Sequence, residues 1–234
     1  MSRSGIAIIL IIIGFFGFFF GSAWWTSRNY LPSGIKQHQD LMKTLSKGAS
    51  ITTFQEHYPE TRGLDWYACL DWMAPRIIYP KAGDENLEYA WDLKERYEGR
   101  SQDPIEILES EYPIMGQVDT PEGPRTLRMA LGRCGEFSIV YMQLLLANGY
   151  IPYFVVGEHE NGDHVWIELK GNQNFIIDPT DAVTWRQKNA SSPWSDCPDI
   201  GHDPRLVQNV TWKWVYRISL DEIVNVTDEY NGGI

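Results

Sequence analysis

Three side chains in the second half of the chain have the types and spacing for nucleophilic acyl transfer. Cys134 lies in Gly132-Arg-Cys-Gly-Glu136, at the mouth of a long apolar run rather than inside it. A helix beginning near Cys134 would place the thiol among unpaired backbone N–H groups, at the positive end of the dipole, where thiolate is favoured. Such a nucleophile needs a base, and the base needs an orienting acceptor. The stretch "DHVWIELKGNQNFIIDP" reads as strand, turn, strand. Centring its turn on Gly171 sets Val165 against Ile177 and Ile167 against Phe175, the continuous apolar face that a sheet with one buried face requires. The same register sets His164 directly opposite Asp178, with Cβ atoms about 4.5–5.5 Å apart. The roles follow: Cys134 as nucleophile, His164 as general base and then acid, Asp178 as the carboxylate that holds the imidazole.

These residues need rigid elements beneath them. From Glu136 to Asn148 apolar residues occupy nearly every side, so the spacing predicts a central, buried helix. Asn148-Gly149 would close it with a left-handed cap. "YIPYFVVG" reads as a strand, as does Val210 to Arg217. One buried helix followed by antiparallel strands is an α+β layout. Upstream, Leu64–Trp72, Asn86–Tyr97 and Pro104–Glu111 read as helices, with a further short helix around Ile35–Leu45. "PIMGQVDTPEGPRT" reads as a loop punctuated by Pro and Gly.

Composition narrows the function class. A net charge of −11 over 234 residues argues against nucleic acid, which demands a basic face. The three cysteines include no C-x-x-C pair of the zinc type, and no metal or cofactor is expected. Cys69 and Cys197 either pair in an exported protein or remain two part-buried thiols.

Gly5 to Trp25 is almost wholly apolar and would form a helix of roughly 32 Å, enough for a hydrocarbon core of about 30 Å. Trp24, Trp25 and Tyr30 close it, where interface aromatics belong. A cleaved signal peptide is the alternative, but its apolar core is usually only about 7–15 residues. The expected organisation is a transmembrane anchor over 1–26, a juxtamembrane linker over 27–60 and a folded domain over 61–234. Flanking positive charges are nearly balanced. The sequons at Asn189, Asn209 and Asn225 tilt the domain toward the extracytoplasmic side.

Gly132-Arg-Cys-Gly-Glu136, Asp163-His-Val-Trp166 and Ile177-Asp-Pro179 together resemble the core of the transglutaminase-like superfamily, most of all its peptide:N-glycanase branch and the related microbial transglutaminase-like proteins. The resemblance spans Gly132 to Asp181 and fades outside it. It implies a papain-like core with a central helix against an antiparallel sheet. It also implies a Cys134–His164–Asp178 triad acting on amides of peptides or glycopeptides, by hydrolysis or acyl transfer. The paired C-x-x-C motifs of eukaryotic N-glycanases are absent, so that substrate does not carry over. Gln117 is the nearest candidate for an upstream oxyanion donor. Trp166 and Glu136 are candidate substrate contacts, although core packing suits Trp166 equally and a first-turn Glu complements a helix dipole. The other reading is a catalytically silent module that holds a peptide or glycan in the same groove.

Overall fold

The computed structural model describes residues 31–32, 34–80, 85–97, 100–120, 123–171, 174–208 and 210–232, without the side chains of 85, 86, 93, 96, 97, 111–120, 123–128 and 205. The expected membrane anchor lies outside the described residues. Among those described, no helix is long and apolar enough to cross a membrane. The chain divides into two units, residues 1–36 and 37–234, and the second carries everything that follows.

Helices α1 (Ile35–Leu45) and α2 (Gly48–His57) occupy most of the stretch expected as linker. Leu41, Met42, Leu45 and Phe54 of that stretch are buried. Helix α3 (Trp66–Met73) starts on Asp65, whose side chain accepts from the Ala68 amide at 2.9 Å. Strand β1 (Ile77–Ile78) follows, then α4 (Glu85–Tyr97) and α5 (Pro104–Glu109), the last capped by Asp103 with Pro104 in its first turn.

The Pro/Gly-punctuated stretch expected as a loop is instead a hairpin, β2 (Glu111–Thr120) and β3 (Gly123–Leu131), with β1 parallel to β3. The prolines fit because of where they fall. β2 is an edge strand of this three-stranded sheet, its register shifts between Pro113 and Gln117, and Pro124 stands at the start of β3. Edges, bulges and strand starts are the positions where a missing N–H costs no ladder bond.

Helix α6 (Cys134–Ala147) is the central element, and every residue from Glu136 to Leu145 is buried. Its end matches the expected left-handed cap. Gly149 has φ 82°, the Gly149 amide donates to Leu146 O at 3.1 Å, and the Tyr150 amide donates to Leu145 O at 3.0 Å. Burying side chains such as Phe137, Leu144 and Leu145 stabilises by about 1.5–3 kcal/mol each. The apolar helix behind Cys134 therefore fixes its position.

The second half builds one antiparallel sheet from β4 (Pro152–His159), β5 (Gly162–Leu169), β6 (Phe175–Ile177), β7 (Ile200–Gly201), β8 (Trp212–Ile218) and β9 (Ile223–Asn225). Its order is β7-β6-β5-β4-β8-β9. Helix α7 (Pro179–Lys188) lies between β6 and β7, and α8 (Thr227–Tyr230) ends the described chain. The arrangement is α+β, as expected.

Two details of the hairpin differ from the sequence reading. Ile167 pairs with Ile177 and Leu169 with Phe175, so the register is two residues away from the expected one. The turn centres on position 172 rather than on Gly171. A two-residue shift keeps every side chain on its face, so the apolar pairing survives with different partners. The sheet is also buried on both faces, since His164 to Glu168 are all buried in succession. Trp166, Val155, Ile176, Val207, Trp212, Val215, Val226 and Tyr230 form a second core that the expected single buried face did not include. Gly157 sits under it, where a Cβ would come within 2.6 Å of the Trp212 ring.

Candidate active site

Cys134 is the first residue of α6 and is partly exposed. Gly132 is glycine for close packing, because a Cβ there would meet Ile77 at 2.8 Å, whereas Gly135 borders open space. The helix start is braced by Glu136. Its carboxylate accepts from the Arg133 amide at 3.0 Å and from Arg100 Nε at 3.0 Å, and the residue is only 3% exposed.

β6 stops at Ile177, so no strand lies beside His164 on that edge. The chain turns there into α7, and Asp178 is its N-cap. Asp178 Oδ1 accepts from the Thr180 and Asp181 amides at 3.0 and 3.4 Å. The other oxygen, Oδ2, lies 2.5 Å from His164 Nε2. Continued ladder pairing would set Asp178 opposite Trp166, so the carboxylate reaches His164 along a diagonal rather than from directly across. The expected partners meet, but not by the expected opposition. Both side chains are buried. The Cys134 thiol lies near enough to the same imidazole to help raise it. With Nε2 committed to Asp178, Nδ1 is the nitrogen left for sulfur.

Burial opposes charge on His164, but the Asp178 carboxylate and its hydrogen bond, with the Cys134 contact added, raise the imidazole well above its ordinary 6.5. The other two thiols differ. Both are unbonded and buried, and burial first of all pushes Cys69 up to about 12 and Cys197 up to about 11.

The remaining candidates are placed as follows. Trp166 is completely buried and walls no cleft; its Nε1 donates to Tyr230 Oη at 2.9 Å and its ring stacks on His164 at 5.9 Å between centroids. A two-sided core leaves that face no opening. The Glu136 carboxylate is bonded by Arg100 and the Arg133 amide, at the start of α6. Gln117 pairs with Thr126 in the β2–β3 hairpin, and its side chain lies outside the described residues. Among the described residues no group of His, Cys, Asp or Glu is arranged to hold a metal ion.

The sequence reading missed four neighbours of the site. Arg100 lies 36 residues before Glu136. Tyr79 is close enough to sense the charge of Cys134. Asp181 and Asp199 cluster around Asp178, and Asp199 O accepts from the Asp178 amide at 3.2 Å. No local pattern marks any of them. Arg100, Tyr79 and Asp199 are brought in by tertiary contacts, whereas Asp181 follows Asp178 in the first turn of α7.

Asp199 is pushed up to about 6 by burial and by its acidic neighbours. Asp181 is pushed to about the same value by desolvation and by Asp178, although solvent still reaches it. Their folded values lie above the ordinary 3.8, so the folded state binds more protons than the unfolded state in that window. Stability contributed by the protonated forms is complete below about pH 4 and is lost as pH rises through about 6. His164 follows the same sign at higher pH: its contribution is full below its ordinary 6.5 and is lost as pH rises through its raised folded value. Thermal melts from pH 4 to 9 are therefore expected to fall in two stages, with Asp199→Asn flattening the acidic one.

No protein-family model matches this chain, and a search of the curated proteins finds no match.

Proposed function

We propose that this protein is a cysteine-dependent enzyme that cleaves or transfers acyl groups at amide bonds of peptides or glycopeptides, on a papain-like core tethered to a membrane by its N-terminal segment. The observation that carries this reading is the buried His164–Asp178 pair, joined at 2.5 Å, with the partly exposed Cys134 thiol at the start of α6 acting on the same imidazole. A packing histidine has no need of a buried carboxylate on one nitrogen and a partly exposed thiol nearby.

In the proposed reaction the Cys134 sulfur, its proton moved to His164 Nδ1, attacks the amide carbonyl carbon. The carbonyl electron pair moves to oxygen. The N–H groups in the first turn of α6 lack intrahelical acceptors and are the nearest backbone donors for that oxyanion. The C–N bond then breaks as His164 returns the proton to the leaving amine, leaving a thioester on Cys134. Water or a second amine, deprotonated by His164, attacks the thioester and releases the thiol. Asp178 keeps the imidazole oriented and offsets its positive charge throughout.

The test is alkylation of the full-length protein by iodoacetamide at several pH values, beside His164→Ala. Peptide mapping should find Cys134 modified well before Cys69 or Cys197. The His164→Ala rate near neutral pH should be at least about tenfold lower, since loss of general-base assistance costs about 10²–10⁴-fold. Equal rates in the two proteins would discard the enzyme and leave the silent binding module.

A further inference from the structure

Asp178 fixes the His164 imidazole at one point. A single hydrogen bond at Nε2 leaves the ring plane free to tilt, and tilting moves Nδ1 relative to the thiol. A second constraint comes from Trp166. It stands two residues along β5 from His164, on the same face of the sheet. Its indole is stacked on the imidazole, with 5.9 Å between centroids and 21° between planes.

The indole is itself held at its far edge. Trp166 Nε1 donates to Tyr230 Oη at 2.9 Å, and that hydroxyl donates to Glu168 Oε1 at 2.6 Å. The direction of both bonds is fixed, because an indole N–H only donates and a carboxylate only accepts. Glu168, the next residue on the same face of β5, is gripped in turn by Arg217 and Asn174. Trp166 and Glu168 are completely buried and Tyr230 is nearly so. A bond lost there leaves its partners unpaired. Filling a core needs no directional bond, whereas holding a ring in one plane does. The hydroxyl comes from outside the strand: α8 brings Tyr230 to Trp166 from 64 residues away.

We propose that Tyr230 is a positioning residue for the thiol chemistry: its hydroxyl pins the Trp166 indole, and the indole sets the plane in which His164 presents Nδ1 to Cys134. This rests on the proposed Cys134–His164 chemistry and goes beyond it by making α8 part of the active site, acting only through Trp166.

Iodoacetamide alkylation of Cys134 in the full-length protein, followed from about pH 5 to about pH 10, tests it in a cycle of parent, Tyr230→Phe, Trp166→Phe and the double variant. Phenylalanine at 166 keeps an aromatic face and needs no hydrogen-bond partner. The parent rate is expected to rise with a midpoint well below the roughly 8.5 of a free thiol, and to depend on His164. Tyr230→Phe is expected to lose about tenfold near neutral pH, since a misplacement of about 1 Å costs up to about 10²-fold. Its midpoint should move toward about 8.5. A residue that only stabilises the fold would lower the urea midpoint and leave the pH midpoint of the folded protein where it was. In the Trp166→Phe background the same change should move the pH midpoint no further, because the link is already cut. A folded Tyr230→Phe with the parent's pH midpoint would overturn the proposal, and so would an equal shift in both backgrounds. If Tyr230→Phe does not fold, Trp166→Phe alone decides: the parent's rate and midpoint in that variant would overturn it. Each of these results leaves the thiol enzyme standing. Parent alkylation that is indifferent to His164→Ala would remove the enzyme reading, and the positioning role with it.

Discussion

Asp178→Asn is expected to fold and to lose the reactivity of Cys134 almost entirely. Asparagine caps a helix about as well as aspartate, so the amide oxygen can keep accepting from Thr180 and Asp181. The amide nitrogen then faces His164 Nε2. Two donors cannot face each other, so the imidazole must carry its proton on Nδ1. That proton points at the thiol, and the base cannot accept from it. Loss of the orienting carboxylate in a serine triad costs on the order of 10⁴-fold, and a comparable loss is expected here. Asp178→Ala should show the same loss of reactivity and unfold more easily, by about 1 kcal/mol for the missing cap. Alkylation kinetics and chemical denaturation of the two variants separate the roles. An Asp178→Asn protein with undiminished His164-dependent alkylation would refute the assignment of Asp178 as orienter.

The second large effect is on stability, at Arg217→Met. Glu168 is completely buried, and Arg217 holds both its oxygens, at 2.7 and 3.1 Å. Asn174 Nδ2 and Tyr230 Oη donate to the same carboxylate at 2.7 and 2.6 Å. Removing the guanidinium leaves a buried charge with neutral donors only. Breaking such a pair from one side costs about 3–5 kcal/mol, whereas replacing both partners by apolar residues is often close to neutral. Urea denaturation should therefore rank Arg217→Met well below the Glu168→Leu/Arg217→Met double variant. Arg217 also bonds Glu229 at 2.8 Å, so the single variant should loosen α8 and, through the Tyr230–Trp166 bond, the packing behind His164. A single variant as stable as the parent would show that the network contributes little.

Much of the site was legible in the chain because its signals are local. The apolar run after Cys134 specifies a buried helix that begins at the thiol. The hairpin alternation keeps His164 and Asp178 on one face under either register, because a shift of two residues changes partners but not sides. The Asn148-Gly149 cap and the strand near Val210–Arg217 are also short-range patterns, and both appear in the fold. The β2–β3 hairpin was not legible. Its prolines are permitted only because β2 is an edge strand, and edge position belongs to the sheet, not to the segment.

By itself, then, the sequence singled out Cys134, His164 and Asp178 as candidates and the elements that present them, since periodicity and capping act over a few residues. Only the tertiary structure decided how they meet. β6 ends one residue before Asp178, so the carboxylate can cap α7 and reach His164 diagonally. A second core closes over Trp166 and removes it from any cleft. Arg100 and Tyr79 arrive from distant segments beside Cys134, and Asp199 beside Asp178. These outcomes depend on where elements stop and what covers them, which is settled by packing between segments far apart in the chain.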